Sequence, residues 1–126
     1  MALTGIFQIT NWQEQTDKEL EQGGKITTAK ITQEYNGDVT GSSEITFQML
    51  YGADGTAVFV GFEEFTGKIN NRSIQFMLKH DGKFENGVAS SKFVIIDSNE
   101  QEFKNKTGHF SSIENGQAKY QISHPD

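Results

Sequence analysis

Hydrophobic and polar side chains alternate along much of this chain, with a period of two residues. Over residues 39–51 the odd positions are mostly apolar or small, and the even positions are polar. This is the pattern of a strand that buries one face and exposes the other. The same alternation over residues 73–79 and 118–123 predicts two further strands of this kind.

Five weaker segments are also predicted to be strands, because β-branched and aromatic residues are concentrated in them. They cover residues 3–12, 25–35, 56–65, 88–97 and 107–113. Dipeptides that tolerate positive φ angles favour antiparallel hairpins, and five occur here: Asn36-Gly37, Asp54-Gly55, Asp81-Gly82, Asn86-Gly87 and Asn115-Gly116. The third and fourth are too close together for two hairpin turns, so one of them is predicted to be a bulge or part of a wider loop.

Residues 13–22 interrupt the alternation. This segment contains good helix formers, but Leu20 is its only aliphatic residue and no apolar stripe forms, so we predict a polar loop with at most one helical turn. The fold class is therefore all-β, with eight antiparallel strands and little or no helix. Closing the sheet removes its exposed edges, which favours a closed barrel over a β-sandwich. The length suits one domain, residues 1–126.

In two segments, residues 57–62 and 93–96, both alternating faces are apolar. The inner face would fill the core of a barrel, and the outer face would need another cover. That cover is either the chain's own terminal segment or a second copy of the chain. We favour the second copy, because apolar surface of this kind usually marks contacts, and expect a homo-oligomer such as a dimer or trimer.

The charge and cysteine content exclude several classes of partner and site. Eleven basic against seventeen acidic side chains give a net charge of 11 − 17 = −6, which opposes binding to nucleic acid or to an anionic membrane. The absence of cysteine excludes disulfides, thiolate nucleophiles and cysteine-ligated metals. The first residues form no secretory signal and no apolar run is long enough for a membrane span, so we expect a soluble, cytoplasmic protein.

Glu63 is a candidate for acid–base chemistry. Glu63 and Glu64 are adjacent on a predicted strand, so they point to opposite faces, and Glu63 shares the inward face of Phe59. A buried carboxylate there would have a raised pKa and would serve as an acid or a base. The alternative is that Glu63 lies at the rim of the barrel, solvated or paired with Arg72.

His80 is the best single candidate for a functional side chain. It continues an inward face toward the end of a strand, where an imidazole can shuttle a proton or anchor a ligand. The alternative is a structural histidine that is hydrogen-bonded to a neighbouring backbone carbonyl. His109 and His124 are weaker candidates, and no two histidines have the close spacing of metal ligands, so no metal site is predicted.

Serine nucleophiles and phosphate-binding loops find little support. Ser90 and Ser91 have no adjacent histidine, and no nucleophile elbow is present, so a catalytic serine would require an arrangement made only by the fold. None of the glycines opens a phosphate-binding loop. We therefore predict no cofactor.

Short motifs between residues 41 and 91 carry a resemblance to a known family. They are Gly41-Ser42-Ser43, Phe59-Val60-Gly61-Phe62-Glu63, Gly67 with Arg72-Ser73, His80-Asp81-Gly82-Lys83-Phe84 and Gly87-Val88-Ala89-Ser90-Ser91. With these motifs the chain resembles the small bacterial family named domain of unknown function 3224, which is similar in fold to the allene oxide cyclase barrel. The resemblance implies a closed eight-stranded barrel and supports an oligomer, but it implies no reaction.

The chain departs from the pattern of this family at two places. Ser73-Ile74-Gln75 stands where relatives tend to carry a glycine and a serine after the arginine. Residues 97–101 stand where relatives carry a glycine-rich turn. If this second segment shapes a mouth of the barrel, the specificity here differs from that of relatives.

The resulting hypothesis is a barrel of uncharacterised function that binds a small, largely apolar molecule in its mouth. The predicted ligand-binding residues are Phe47, Met49, Tyr51, Phe59, Glu63, Arg72, Phe76, Leu78 and His80. His80 and Glu63 are also the candidate catalytic residues. Two alternatives stay open: an isomerase or cyclase resembling allene oxide cyclase, and a structural or interaction barrel whose aromatic side chains simply fill the core.

Overall fold

The computed structural model describes residues 2–123, which form a single antiparallel sheet of eight strands. The strands are β1 (Ala2–Glu19), β2 (Lys25–Gly37), β3 (Thr40–Tyr51), β4 (Ala57–Ile69), β5 (Arg72–Glu85), β6 (Val88–Ser98), β7 (Thr107–Ser112) and β8 (Gln117–Ser123). Each strand pairs with the next one, and β8 pairs with β1, so the sheet forms a ring. The prediction of an all-β fold with eight antiparallel strands is confirmed.

Helix is limited to one short segment between β6 and β7. Residues Gln101–Phe103 form a single 3₁₀ turn, and the rest of residues 2–123 contains no helical element. Within that range, accordingly, no helix is long and apolar enough to cross a bilayer.

The predicted loop over residues 13–22 is wrong, because most of it is strand. β1 continues to Glu19 and pairs with β2 as far as the contact between Glu19 and Lys25. The side chains of residues 13–19 are all exposed, so neither face of this hairpin arm is marked by apolar residues. Backbone pairing with β2 therefore outweighs the weak helix propensity of the segment.

Three of the five predicted turn dipeptides lie between strands: Asp54-Gly55, Asn86-Gly87 and Asn115-Gly116. Asn36-Gly37 forms the paired end of β2, directly before the β2–β3 turn. Asp81-Gly82 is not at a turn. Asp81 and Gly82 lie inside β5, which is continuous from Arg72 to Glu85. The irregularity in pairing between β5 and β6 instead falls between Met77 and Leu78. Gly82 is needed because a Cβ atom there would overlap the ring of Phe59, so the glycine reflects close packing across the sheet and not a turn.

A β-bulge in β1 changes which side chains face the interior. Ile9 pairs with Gln33 and Asn11 pairs with Thr32, so Thr10 is an extra residue in the ladder. An extra residue inverts the alternation between the two faces of a strand. Odd positions face the interior before the bulge, whereas Trp12 turns toward the interior after it.

Aromatic side chains fill the ring by lying against glycines on neighbouring strands. Five cross-strand pairs combine an inward phenylalanine or tyrosine with a glycine: Tyr35 with Gly41, Phe47 with Gly61, Phe59 with Gly82, Phe93 with Gly108 and Tyr120 with Gly5. A Cβ atom at Gly61 or Gly108 would crowd the ring of its aromatic partner. The missing side chain thus makes room for the ring inside the sheet.

The two ends of the ring differ in how they are filled. At the end that carries the β2–β3 and β4–β5 turns, which we call the closed end, successive ring centroids lie 5.1–5.7 Å apart along a chain of aromatic side chains: Tyr120, Tyr35, Phe65, Phe76 and Phe103. At the opposite end, which we call the open end, several inward positions are small: Ala57, Gly82, Ala89, Ser112 and Ala118. The open end therefore retains a cavity.

The outer face of β4 is apolar, as the sequence predicts. Val58, Val60 and Phe62 are each more than half exposed, while the alternate residues of β4 face inward. On β6, Phe93 and Ile95 face inward and Ile96 is 38% exposed on the outside. The expected homo-oligomer would cover this surface, and it stays a prediction.

Candidate ligand-binding cavity and buried polar cluster

Glu63 and His80 meet in the interior of the ring. Both side chains are almost completely inaccessible to solvent, at 0% and 1% exposure, which agrees with the faces that the alternation assigns to them. His80 Nε2 lies 2.6 Å from Glu63 Oε1. The two residues project from neighbouring strands, β4 and β5, so the pair is fixed by sheet register.

Two hydroxyl groups extend this pair into a buried polar cluster, which we define as Tyr35, Glu63, His80 and Ser91. Tyr35 Oη donates to Glu63 Oε2 at 2.5 Å. Ser91 Oγ lies 3.0 Å from His80 Nδ1 and 3.2 Å from the backbone carbonyl oxygen of Lys92. The Ser91 hydroxyl therefore has two hydrogen-bonding partners inside the ring.

The structure contradicts the partners that the two alternatives gave to these residues. Glu63 is not at a rim and does not pair with Arg72, whose guanidinium instead lies 2.5 Å from Glu102 and 3.8 Å from Glu100 on the surface of the closed end. The side-chain partners of His80 are Glu63 and Ser91, and not a backbone carbonyl.

The pKa of Glu63 moves in the direction opposite to the sequence expectation. Burial raises the pKa of this carboxyl, but the hydrogen bond and the charge of His80, together with the nearby hydroxyls, outweigh burial and lower it from its ordinary value. Burial, followed by the charge and the hydrogen bond of Glu63, raises the pKa of Tyr35 well above its ordinary value. At neutral pH the cluster therefore holds an ionised Glu63 and a protonated Tyr35.

The fold brings Ser91, His80 and Glu63 together, with the imidazole of His80 in contact with the other two side chains. Their positions in the sequence did not reveal this arrangement. A serine nucleophile needs an imidazole that accepts its hydrogen and an opening for the substrate. Here the Ser91 hydroxyl is shared between His80 and a backbone carbonyl, and Ser91 is only 4% exposed, so no opening for a substrate leads to it. In this geometry the three residues stabilise the interior and are not arranged for acyl transfer.

A cavity of about 450 Å³ opens at the open end of the ring. Its walls come from all eight strands and the β7–β8 turn, and most of the side chains are aromatic or aliphatic. The lining residues are Phe7, Ile9, Trp12, Ile31, Gln33, Phe47, Met49, Tyr51, Phe59, Phe84, Ala89, Phe110, Ser112, Ile113, Gly116, Gln117 and Ala118. A larger groove, about 640 Å³, lies along the outside of β5–β8 and is more open to solvent. The inner cavity is the better enclosed of the two and therefore suits a small ligand better.

Two aromatic rings separate the cavity from the buried polar cluster. Phe47 and Phe110 line the cavity, and their ring centroids lie 5.5 Å and 5.7 Å from that of His80. Glu63 and His80 do not themselves line the cavity. The cluster thus lies behind the cavity wall.

The rim of the cavity exposes apolar side chains to solvent. Trp12, Phe84 and Ile113 are 36–43% exposed and also line the cavity. Scattered single apolar residues are common on protein surfaces, but a group around one opening is typical of a ligand entrance.

A carboxylate at the rim fixes three cavity-side groups. Glu14 accepts hydrogen bonds from Tyr51 Oη at 2.6 Å, from Thr27 Oγ1 at 2.6 Å and from Trp12 Nε1 at 3.0 Å. Burial raises the pKa of Glu14, but these three donors outweigh burial and lower it. Burial and the bond to Glu14 raise the pKa of Tyr51 to about 12, so the Tyr51 hydroxyl keeps its hydrogen and directs it to Glu14.

Gln33 is the polar residue that stands out in the cavity wall. It is 3% exposed, and its Oε1 atom has no hydrogen-bond partner within residues 2–123. The sequence analysis did not single it out, although a signal exists. Gln33 lies between Ile31 and Tyr35 on the inward face of β2, where the alternation predicts an apolar residue.

The structure divides the predicted ligand-binding residues into three groups. Four line the cavity: Phe47, Met49, Tyr51 and Phe59. Four are buried without lining it: Glu63, Phe76, Leu78 and His80. Arg72 lies on the surface at the other end of the ring.

The histidines do not assemble into a metal site in the part of the chain that the structure describes. No group of three or more histidine, aspartate and glutamate side chains there lies close enough to hold a metal ion. His109 is exposed on β7. His124 lies outside the described residues.

A family model described as protein of unknown function (DUF3224) matches residues 3–124. The chain belongs to the DUF3224 family. A member of that family from Shewanella oneidensis MR-1, also of unknown function, has a similar crystal structure, with a TM-score of 0.71 and 21% identity over 100% of this chain and 98% of that one. The family-model match over residues 3–124 confirms the resemblance to DUF3224 found in the sequence.

A second solved structure has the same type of fold and is described as an enzyme. It comes from Penicillium herquei, with a TM-score of 0.60 and 12% identity over 98% of this chain and 92% of that one. At this identity the likeness extends to the fold alone. No curated protein sequence matches the chain significantly.

Proposed function

We propose that this DUF3224 protein binds a small, largely apolar molecule in the cavity at the open end of a closed barrel of the allene oxide cyclase type. The observation that carries this proposal is the cavity of about 450 Å³ with mainly apolar walls, because small-molecule sites are typically concave, apolar and of this size. The exposed rim of Trp12, Phe84 and Ile113 supports it as an entrance.

Ligand binding has better support than catalysis. An isomerase or cyclase that used His80 or Glu63 would need one of them in contact with its substrate. Both are nearly inaccessible and lie behind the rings of Phe47 and Phe110. The enzyme of similar fold does not change this balance, since folds are shared by many unrelated activities.

A fluorescent apolar probe tests the proposal directly. N-phenyl-1-naphthylamine is titrated into the protein, and energy transfer from Trp12, the single tryptophan of the chain, reports on its arrival at the rim. We expect saturable binding of one probe molecule per chain and a raised melting temperature, because a ligand that binds only the folded state stabilises it.

A pair of matched variants locates the probe. Ala89→Phe places a ring in the cavity, because Ala89 lines it, whereas Glu34→Phe adds the same ring on the exposed outer face of β2. We expect Ala89→Phe to weaken binding by about tenfold or more, since a filled cavity leaves less room for a ligand. Glu34→Phe is expected to bind like the unmodified chain. Absence of saturable binding, or equal affinities of the two variants, would contradict the proposal.

A further inference from the structure

The outer face of β4 carries a continuous apolar surface. Val58, Val60 and Phe62 follow one another on this face, and each is more than half exposed. Sheet register extends the surface across the sheet, because Leu50 of β3 pairs with Val58 and Ile26 of β2 pairs with Leu50. We call these five residues the outer apolar surface. An exposed apolar surface that is contiguous over three strands is typical of a contact with another protein.

A row of alternating charges runs beside this surface on β5. Its outward side chains are, in order, Lys79, Asp81, Lys83 and Glu85, and all are exposed. Lys83 Nζ lies 2.9 Å from Glu85 Oε1, so these two side chains lie on the same side of the strand. The row is locally neutral although the chain carries a net charge of −6. It therefore favours neither a wholly acidic nor a wholly basic partner surface.

The order of these charges is complementary to itself. A twofold axis that crosses β5 between Asp81 and Lys83 makes two copies of the strand run antiparallel. Asp81 then faces Lys83 of the partner subunit, and the reverse contact follows by symmetry. At the next outward position, Lys79 faces Glu85 of the partner subunit. Every charged side chain of the row thus meets the opposite charge, which favours this arrangement over others.

The same axis brings the apolar side chains together. Val60 of β4 pairs with Asp81 of β5. Val58 pairs with Lys83 in the same way, so an axis between the two charged residues also passes between the two valines. Val58 then packs against Val60 of the partner subunit at the centre of the contact, and the charged row lies along one edge. An apolar centre with a polar border is the usual composition of an interface between subunits.

We infer that two copies of the chain form a homodimer through the outer faces of β4 and β5, around a twofold axis between Val58 and Val60. The inference goes beyond the proposed function, because it concerns the outside of the ring and requires no ligand. A different protein would need its own row of alternating charges in the matching order, whereas a second copy always supplies that row.

Sedimentation velocity at tens of micromolar chain measures the oligomeric state, and we expect a dimer. Val60→Lys places a charge at the apolar centre of the contact. Gln121→Lys places the same charge on the exposed outer face of β8, on the opposite side of the ring. We expect the dissociation constant of the dimer to rise about tenfold or more in Val60→Lys, since burying an unpaired charge is costly, and to be unchanged in Gln121→Lys. Both positions are exposed in the single chain, so both variants should fold, which circular dichroism checks.

Charge exchanges test the position of the axis. Asp81→Lys places like charges opposite each other across the axis and should weaken the dimer about tenfold. Combining Asp81→Lys with Lys83→Asp restores opposite charges at every position and should recover the dimer. Combining Asp81→Lys with Lys79→Asp gives the same net charge but leaves like charges opposite each other, so this second double variant should not recover it.

Three results would overturn the inference. The first is a monomer for the unmodified chain at these concentrations. The second is a dimer that survives Val60→Lys, or one that Gln121→Lys weakens as much. The third is equal dimer affinity of the two double variants. A dimer that is lost in Val60→Lys and recovered only by exchanging Asp81 with Lys83 would establish both the interface and its symmetry.

Discussion

The closed and open ends of the ring are built from the same strands, yet the closed end is filled by side chains and the open end contains a cavity. At the closed end, aromatic rings from several elements stack in contact, and the 3₁₀ turn (Gln101–Phe103) contributes Phe103, which is fully buried. At the open end, Ala89 and Ala118 occupy inward positions beside the cavity. The alternation of faces is equally regular in both, so the size of the inward side chains decides which end is filled.

The buried polar cluster lies where the two ends meet. Rings that line the cavity contact His80 from one side, while the ring of Tyr35 joins the aromatic chain of the closed end. The cluster thus separates a part of the core that is filled by packed side chains from a part that contains the cavity.

The largest effect is expected from breaking the charged pair at this boundary. Glu63→Ala leaves His80 without its charged partner inside the ring, which should cost about 3–5 kcal/mol of unfolding free energy. Urea denaturation followed by circular dichroism measures this loss. The double variant Glu63→Leu with His80→Phe replaces both polar side chains by apolar ones and should lose less stability than Glu63→Ala alone. A double variant that is clearly less stable than the single one would show that the Glu63–His80 contact itself, and not the unpartnered imidazole left by Glu63→Ala, dominates.

Removing one ring from each end compares the two halves directly. Phe103→Ala, at the closed end, should cost about 3 kcal/mol of unfolding free energy, because it empties a fully packed site. Phe84→Ala, at the rim of the open end, should cost about 1 kcal/mol or less, because Phe84 is 36% exposed. Thermal and urea denaturation of both variants provide the measurement. Similar losses at the two sites would mean that the ends are not packed differently.

The smallest expected effect is a decrease in the free energy of unfolding as the pH falls in the acid range. The pKa of Glu63 is lower in the folded chain than its ordinary value of 4.5, so its ionised form stabilises the fold above that value. This contribution is lost as pH falls below 4.5 and passes through the folded pKa. Urea denaturation between about pH 6 and about pH 3 should show a shallower acid-side loss for Glu63→Gln than for the unmodified chain. Glu64→Gln, on the exposed neighbour, is the control and should keep the full loss.

The alternation of apolar and polar residues predicts the strands well wherever one face of the sheet is buried. It places Glu63 and His80 inside, because each follows apolar residues of the same parity. It fails over residues 13–19, since both faces of that hairpin arm are exposed and only backbone pairing remains. It also fails at Asp81-Gly82, where a pair of residues typical of turns serves the packing of a ring on the neighbouring strand.

The partners within the site depend on geometry that a single strand does not contain. Register places Glu63, His80 and Ser91 on three consecutive strands, but the contact of Tyr35 on β2 with Glu63 on β4 passes across β3 and requires the sheet to curve. Lowering of the Glu63 pKa follows from the same contacts, which is why a burial argument alone gave the wrong direction. The place of Trp12 at the rim likewise depends on the bulge at Thr10.

The bulge at Thr10 determines which side chains of β1 reach the rim of the cavity. If the ladder continued regularly from Ile9, Thr10 would pair with Thr32 and Asn11 with Ile31, and the two faces of the strand beyond this point would be exchanged. Asn11 and Gln13 would then turn inward in place of Trp12 and Glu14, and the entrance would be polar. Deleting Thr10, in contrast, would leave Asn11 opposite Thr32 and Trp12 opposite Ile31, so a chain one residue shorter here would keep its indole at the same place.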